Sequence, residues 1–134
     1  MLKKFNHLAI AVKNIKKASE MYKHAFDAKV SSPKSYPGHG VKVVFVEMDN
    51  SKIELMEPLD NNSPISNFLK KHPDGGIHHI CVEVENIHKV RDNLIEKGFR
   101  ILGDGQPKIG AHGKLVLFLH PKDFNNTLIE LEQE

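Results

Sequence analysis

Two stretches of the chain alternate between larger apolar residues and other residues. They read "HLAIAV" (residues 7–12) and "HICVEV" (residues 79–84). A period of two is typical of a β-strand whose two faces meet different surroundings. In each stretch one face is apolar, while the other begins with a histidine and has a small residue two positions later. We therefore predict two strands, each with one face for a helix and a second face that carries a histidine.

After each strand the apolar period lengthens to that of an amphipathic helix. The apolar positions are Ile15, Ala18, Tyr22, Ala25 and Phe26 in the first helix, and Ile87, Val90 and Leu94 in the second. Asn14 and Asn86 stand where an N-cap residue belongs, and Gly98 stands where a C-cap glycine ends a helix. Each strand is therefore predicted to lead into a capped helix.

Further strands follow each helix. Their apolar runs cover residues 40–48, 52–57, 114–120 and 127–132. A short strand is predicted before each pair, near residues 28–31 and 100–103. A connecting helix is predicted over residues 63–72, because Ser63 is a good N-cap residue and Pro64 a good first helical residue.

The two halves of the chain repeat one another. His7 matches His79 at an offset of 72 residues, and Glu54 in "IEL" matches Glu130 in a second "IEL" at an offset of 76. Internal repeats of this kind indicate a duplicated structural unit. We predict a βαβββ unit that occurs twice in one domain. The predicted bounds are 1–134 for the domain, about 4–60 for the first repeat, about 63–72 for the connecting helix and about 76–133 for the second repeat.

Composition narrows the class of protein. The chain has 134 residues, 40% hydrophobic and 27% charged, with a net charge of +2. This size suits one domain, and the dispersed charge gives no reason to expect a nucleic-acid partner. No apolar run approaches the length of a membrane span. The single cysteine, Cys81, excludes an intrachain disulfide, so we expect a cytoplasmic protein.

The repeated histidines and glutamates are candidate metal ligands. The duplication is expected to bring His7, Glu54, His79 and Glu130 onto one concave surface. Two imidazoles and two carboxylates suit a divalent first-row metal, and in an octahedral set they leave two positions for water or substrate. One histidine at a strand start, or one glutamate in "IEL", is more often structural. The coincidence of all four at equivalent places favours a catalytic metal site.

These residues carry a resemblance to a known family. The motifs "HLAIAV", "KIELMEPL", "GGIHHICVEV", "KIGAHGKLVLFLHPKD" and "LIELEQ" resemble the methylmalonyl-CoA epimerase family of the vicinal oxygen chelate superfamily, also called the glyoxalase/bleomycin-resistance/dioxygenase superfamily. The resemblance implies an α+β fold in which tandem paired βαβββ modules form a U-shaped mixed β-sheet around a metal. It also implies a homodimer, a small-molecule acyl-CoA substrate, and a divalent ion, first of all Co²⁺, with Ni²⁺, Mn²⁺ or Zn²⁺ as alternatives.

The resemblance also assigns roles to particular residues. It gives His7, Glu54, His79 and Glu130 as the metal ligands, so that His79 binds the metal and the adjacent His78 is structural. The reaction it implies is interconversion of the two C2 epimers of methylmalonyl-CoA through a metal-stabilised enolate. Glu130 matches the family position of one catalytic base.

The second base is left open by the sequence. Some family members have Gln at the position of Glu54 and a separate Glu on the preceding strand, where this chain has Val43. Glu47, four residues further on, is an uncertain substitute. We expect Glu54 to act as the counterpart of Glu130. The alternative is that Glu54 only binds metal.

The loop "KIGAHGK" (residues 108–114) is expected to cover the substrate. Lys108, His112 and Lys114 could contact a carboxylate or the phosphates of coenzyme A. The alternative is an ordinary basic surface loop.

Two other functions compete with epimerisation. A glyoxalase I-type lactoylglutathione lyase uses the same four ligand types, and a metal-free binding protein shares the fold. An extradiol dioxygenase is disfavoured, because its iron takes two histidines and one carboxylate, whereas Glu54 supplies a fourth ligand.

Overall fold

The computed structural model describes all 134 residues. Its strands are β1 (Leu2–Ala11), β2 (Lys34–Tyr36), β3 (Val41–Glu47), β4 (Lys52–Pro58), β5 (Gly76–Val84), β6 (Lys108–Ile109), β7 (Leu115–Leu119) and β8 (Ile129–Gln133). Its helices are α1 (Ile15–Phe26), α2 (Pro64–Lys71) and α3 (Ile87–Glu96). The order along the chain is β1-α1-β2-β3-β4, then α2, then β5-α3-β6-β7-β8. The α+β class and the twofold occurrence of a βαβββ unit, here called the first and second module, are confirmed.

The two modules pair their strands in the same way. The strand order is β2-β3-β4-β1 in the first module and β5-β8-β7-β6 in the second. The strand that opens each module is parallel to the strand that closes it, whereas the other neighbours are antiparallel. Each module therefore contains a mixed sheet, in which the first and last strands lie side by side.

The predicted helix caps are present. The Oδ1 atoms of Asn14 and Asn86 accept hydrogen bonds of 3.0 Å from the backbone N–H three residues later. Gly98, with a φ of 84°, follows the end of α3 in the left-handed conformation. Its N–H donates to the Ile95 carbonyl, and the N–H of Phe99 donates to the Leu94 carbonyl. These two bonds form a Schellman motif, which is why α3 ends there.

The short strands lie later in the chain than predicted. Near residues 28–31 and 100–103, Val30 and Ile101 make only isolated bridges to Val46 and Leu119. The regular short strands are β2 and β6 instead. These strands consist mostly of exposed residues, so they lack the apolar alternation by which the longer strands were recognised.

One face of each sheet packs against its helix. In the first module Ile10 and Val12 of the β1 region pack with Ile15, Val44 and Leu55. In the second, an equivalent cluster joins β5, α3, β7 and β8, and it comprises Val82, Val84, Ile87, Val90, Leu117, Leu119 and Leu131. The apolar face predicted for each first strand is therefore the helix-facing one.

The opposite face of β1 is partly covered by α2. Ala9 and Ala11 are fully buried there, in a cluster that includes Met56 and Ile65. The sequence led us to expect open space beside these small residues. The space is instead filled by α2, whose Ile65 approaches β1 because alanine leaves room for it.

The backbone divides into two compact units. One comprises His7–His78, and the other comprises Met1–Asn6 together with His79–Glu134. The start of β1 thus belongs with the second module. None of the three helices has the length and hydrophobicity that crossing a membrane requires.

Candidate active site

A buried histidine–glutamate pair lies on the sheet face of the first module that points away from α1. Nε2 of His7 is 2.8 Å from Oε2 of Glu54, and the two residues are 2% and 5% exposed. The parallel register of β1 and β4 sets Ala9 opposite Glu54. Because side chains alternate along a strand, His7 and Glu54 emerge on the same face.

The second module contains an equivalent pair. Nε2 of His79 is 3.0 Å from Oε2 of Glu130, and these residues are 4% and 7% exposed. Here the register of β5 and β8 sets Cys81 opposite Glu130, as Ala9 is opposite Glu54. The structure therefore pairs each predicted histidine with the predicted glutamate of its own module.

An aromatic ring supports each pair, and sequence reasoning missed both rings. Phe45 lies edge-on to His7 with ring centroids 6.4 Å apart, and Phe118 lies edge-on to His79 at 5.5 Å. Both phenylalanines are opposite the glutamate of their module in the antiparallel register. The signal was available, because "VVFV" and "VLFL" occupy matching places in the repeat. Each imidazole is thus held between a carboxylate and an aromatic edge.

The geometry of each pair fits a divalent metal. Bonds from a metal to imidazole nitrogen and carboxylate oxygen are about 2.0–2.2 Å long. Adjacent ligands are then about 3.0 Å apart around an octahedral ion and about 3.4 Å apart around a tetrahedral one. The observed separations of 2.8 and 3.0 Å are hydrogen-bond distances, and they are also short enough for both atoms of a pair to bind one octahedral ion. Each pair can therefore supply two adjacent ligands, and its residues are among the buried side chains that could hold a metal ion.

His78 has different surroundings from His79. It is half-buried, and its ring lies edge-on to Phe68 of α2 at a centroid distance of 5.0 Å. Since neighbouring side chains on a strand point to opposite faces, His78 cannot share the face that carries His79 and Glu130. Its contact with α2 supports the structural role predicted for it.

Val43 and Glu47, the two positions considered for a separate second base, have different surroundings. Val43 is 1% exposed and belongs to the apolar cluster around Met56. Glu47 is exposed at the last position of β3, opposite Lys52. Glu54 is therefore the better placed carboxylate in this module, because it is buried against a histidine.

Of the three residues predicted in the loop of residues 108–114, His112 is the one that contacts a buried carboxylate. Lys108 is exposed and its Nζ lies 2.6 Å from Oδ2 of Asp104, and Lys114 is also exposed. In contrast, Nδ1 of His112 lies 2.7 Å from Oε2 of Glu132.

Glu132 is a buried carboxylate that sequence reasoning missed. It is 2% exposed, and it lies two residues after Glu130 on the same face of β8. Asn6 donates from Nδ2 to Oε1 of Glu83 at 2.8 Å and to Oε1 of Glu132 at 3.3 Å. Alternation in "IELE" could have indicated that Glu132 shares the face of Glu130.

Comparison with known proteins is consistent with this geometry. Residues 6–118 match the family described as the Glyoxalase/Bleomycin resistance protein/Dioxygenase superfamily. An ethylmalonyl-CoA/methylmalonyl-CoA epimerase of Cereibacter sphaeroides is 56% identical over 99% of this chain and 99% of its own. A mitochondrial methylmalonyl-CoA epimerase of Dictyostelium discoideum is 53% identical over 98% of this chain and 78% of its own.

A solved structure shows the same fold. It is a variant of the Streptomyces coelicolor methylmalonyl-CoA epimerase in complex with 2-nitronate-propionyl-CoA. It superposes with a TM-score of 0.92 at 26% identity, and the match covers 100% of this chain and 96% of that one.

Proposed function

Because the chain belongs to the Glyoxalase/Bleomycin resistance protein/Dioxygenase superfamily, and within it to the methylmalonyl-CoA epimerase family, we propose that it interconverts (2R)- and (2S)-methylmalonyl-CoA. The observation that carries this proposal is the pair of buried histidine–glutamate contacts, one in each module, with the same geometry and the same strand register. Such sites provide both metal ligands and carboxylates that can exchange protons.

The proposed ligands of one divalent ion are His7 and Glu54 from the first module and His79 and Glu130 from the second. Their donor set suits Co²⁺, which we propose as the native ion, while Ni²⁺, Mn²⁺ and Zn²⁺ accept the same donors. When bound, the ion supplies Lewis-acid stabilisation of the negative charge that develops on the thioester oxygen, worth several kcal/mol. The T-shaped contacts of Phe45 with His7 and of Phe118 with His79 support this proposal, because they restrict the rotation of both imidazoles.

The glutamates are proposed to move the C2 proton. The hydrogen on C2 lies between a thioester and a carboxylate, which makes it acidic. Glu130 takes this proton on one face of the substrate, and Glu54 returns a proton on the other. Each such transfer typically contributes about 10²- to 10⁴-fold to the rate. Both carboxylates are buried, so little water competes with the substrate for them.

The substrate class is an acyl-CoA. Lys108 and Lys114 are exposed on the loop that begins with β6, where we propose that they meet the phosphates of coenzyme A. Lys108 already binds a carboxylate of Asp104, and a phosphate would compete with it. His112, in contrast, contacts the buried Glu132.

We also propose a homodimer in a reducing, cytoplasmic compartment. The edge strands β2 and β6 are exposed and short, and such edges are commonly covered by a partner. The single free cysteine, Cys81, is buried and fits a reducing environment. Light scattering is expected to give twice the mass of one chain, and a stable monomer at micromolar concentration would contradict the dimer.

Deuterium exchange tests the proposed reaction. Each epimer of methylmalonyl-CoA is incubated separately with Co²⁺-loaded protein in D₂O, and NMR follows the C2 hydrogen and the appearance of the other epimer. From each starting epimer we expect exchange of the C2 hydrogen for deuterium and formation of the other epimer. Absence of exchange from either epimer contradicts the proposal. Turnover of the glutathione–methylglyoxal hemithioacetal instead would indicate the glyoxalase I-type reaction, and binding without either reaction would indicate a binding protein.

A further inference from the structure

The second module contains a buried carboxylate that the proposed ligand set does not use. Glu132 lies beside Glu130 on the same face of β8, and it is contacted by His112. We propose that His112, held in place by Glu132, binds the free carboxylate of the acyl-CoA substrate. This inference rests on the proposed function, and it gives that function a residue that recognises a carboxylated acyl group.

The burial of Glu132 requires partners, because a carboxylate removed from water without hydrogen bonds is costly. Oε2 of Glu132 lies 2.7 Å from Nδ1 of His112, and Oε1 accepts from Asn6 at 3.3 Å. Asn6 is itself fixed by a bond of 2.8 Å to Glu83. The carboxylate is therefore anchored from one side, and the histidine is oriented by it.

The contact decides which ring nitrogen can face a ligand. Nδ1 of His112 is the ring nitrogen that contacts Oε2 of Glu132, and a carboxylate oxygen there accepts a hydrogen bond from it. Because Nδ1 is turned to Glu132, Nε2 lies on the other side of the ring, and we assign an N–H at Nε2 to the substrate carboxylate. Hydrogen bonds to a carboxylate are stronger than those between neutral groups.

The charges on this face explain why a substrate carboxylate needs such a donor. Glu83, Glu130 and Glu132 all lie in the second module on strands β5 and β8, and on the same side of them as His79. A further carboxylate brought near them would be repelled. A histidine placed between Glu132 and the substrate can donate hydrogen bonds to both carboxylates, and this offsets the repulsion.

The loop that carries His112 is shaped to bring it over the sheet. The N–H of Gly110 donates to the Lys114 carbonyl at 2.8 Å, and that of Gly113 donates to the Gly110 carbonyl at 3.0 Å. A Cβ atom on Gly110 would lie 2.7 Å from Cγ1 of the buried Val116. Only glycine allows this close approach of the backbone to Val116. The turn of residues 110–113 can therefore lie close to β7, and the His112 side chain within it contacts Glu132.

The test compares two acyl-CoA probes that have no stereocentre at C2 and therefore cannot be epimerised, and that differ in the free carboxylate. Dissociation constants of malonyl-CoA, which has the carboxylate, and propionyl-CoA, which lacks it, are measured by calorimetry with metal-loaded protein. The informative variant is His112→Asn, because the Asn amide can keep the bond to Glu132 but does not reach the position of Nε2. His112→Gln places a donor near Nε2, and His88→Gln, at an exposed position on α3, is the matched control.

We expect His112→Asn to weaken malonyl-CoA binding by about tenfold to a hundredfold and propionyl-CoA binding by no more than about twofold. His112→Gln should recover part of the loss, and His88→Gln should match the wild type. Equal effects of His112→Asn on both probes, or no effect on either, would overturn the inference.

If the proposed function itself is wrong, the wild-type protein will give different results in these measurements. Wild-type protein that binds neither probe, and exchanges no C2 hydrogen of methylmalonyl-CoA, would refute the acyl-CoA function itself. Wild-type protein that exchanges the hydrogen but binds malonyl-CoA no better than propionyl-CoA would refute only the role of His112.

Discussion

Nε2 of His79 lies 3.0 Å from Oε2 of Glu130, across two parallel strands that are far apart in sequence. The first module repeats this relationship in His7 and Glu54 at 2.8 Å. The two pairs also have the same strand register, with Ala9 opposite Glu54 and Cys81 opposite Glu130. The duplication of the sequence is thus retained in the geometry of the two histidine–glutamate pairs.

Removal of a proposed ligand should abolish tight metal binding. For His79→Ala we expect the affinity for Co²⁺ to fall by more than about 100-fold. Loss of a residue that only hydrogen-bonds to a metal ligand already lowers metal affinity by about 10- to 100-fold, and loss of a ligand itself should cost more. His78→Ala, at the adjacent position that packs against Phe68, should bind metal like the wild type. Metal content after dialysis measures both. Equal retention in the two variants would show that His79 is not a ligand.

Glu54→Gln separates metal binding from proton transfer. An amide oxygen can still ligate, but the amide cannot accept the proton. We expect this variant to keep its metal, to lose epimerisation by about 100-fold or more, and to exchange the C2 hydrogen of one epimer through Glu130. NMR in D₂O with each epimer measures this. Normal turnover of both epimers would mean that Glu54 is only a ligand, and attention would pass to Glu47.

Gly75, the residue before β5, should be required for the full stability of the fold. It has a φ of 84°, and a Cβ atom there would lie 2.5 Å from the carbonyl oxygen of Ala11. We expect Gly75→Ala to lower the free energy of unfolding by more than about 1 kcal/mol, because strain and a backbone clash add together. Gly38→Ala is the control, since its Cβ meets nothing within 4 Å. Urea denaturation that gave equal stabilities would contradict this account.

The ion pair between Arg100 and Asp123 should make the stability of the fold depend on pH in the acidic range. The side-chain hydrogen bond from Arg100 lowers the pKa of Asp123 from 3.8 to about 2, assisted by the Arg100 backbone N–H at 2.9 Å. A carboxylate with a lowered pKa stabilises the fold above its unfolded pKa and loses this contribution as the pH falls towards the folded pKa.

Asp123→Asn should therefore melt below the wild type at pH 6, and the two melting temperatures should converge between about pH 4 and pH 2. Because Arg100 is exposed to solvent, high salt should reduce the difference. A difference that stays constant over this range would indicate that the Asp123 charge is unimportant.

The sequence predicted the parts of the structure that depend on local pattern. The caps at Asn14 and Asn86 depend on neighbouring residues, and the repeat selected His79, which the structure pairs with Glu130. Glu132 and Phe45 were missed because their importance comes from strand register, which fixes what lies opposite them. Local sequence pattern also could not predict that α2 fills the space beside Ala9, because this depends on where α2 packs in the folded chain.

The most direct test of the account is a metal titration of the reaction. Protein stripped by a chelator is titrated with Co²⁺ in D₂O, while NMR follows the exchange of the C2 hydrogen of methylmalonyl-CoA. If His7, Glu54, His79 and Glu130 hold one ion, exchange should be absent at the start and should reach its full rate at one ion per chain. Exchange at the full rate in the stripped protein, or saturation that is unchanged when His7 and His79 are both replaced by alanine, would contradict it.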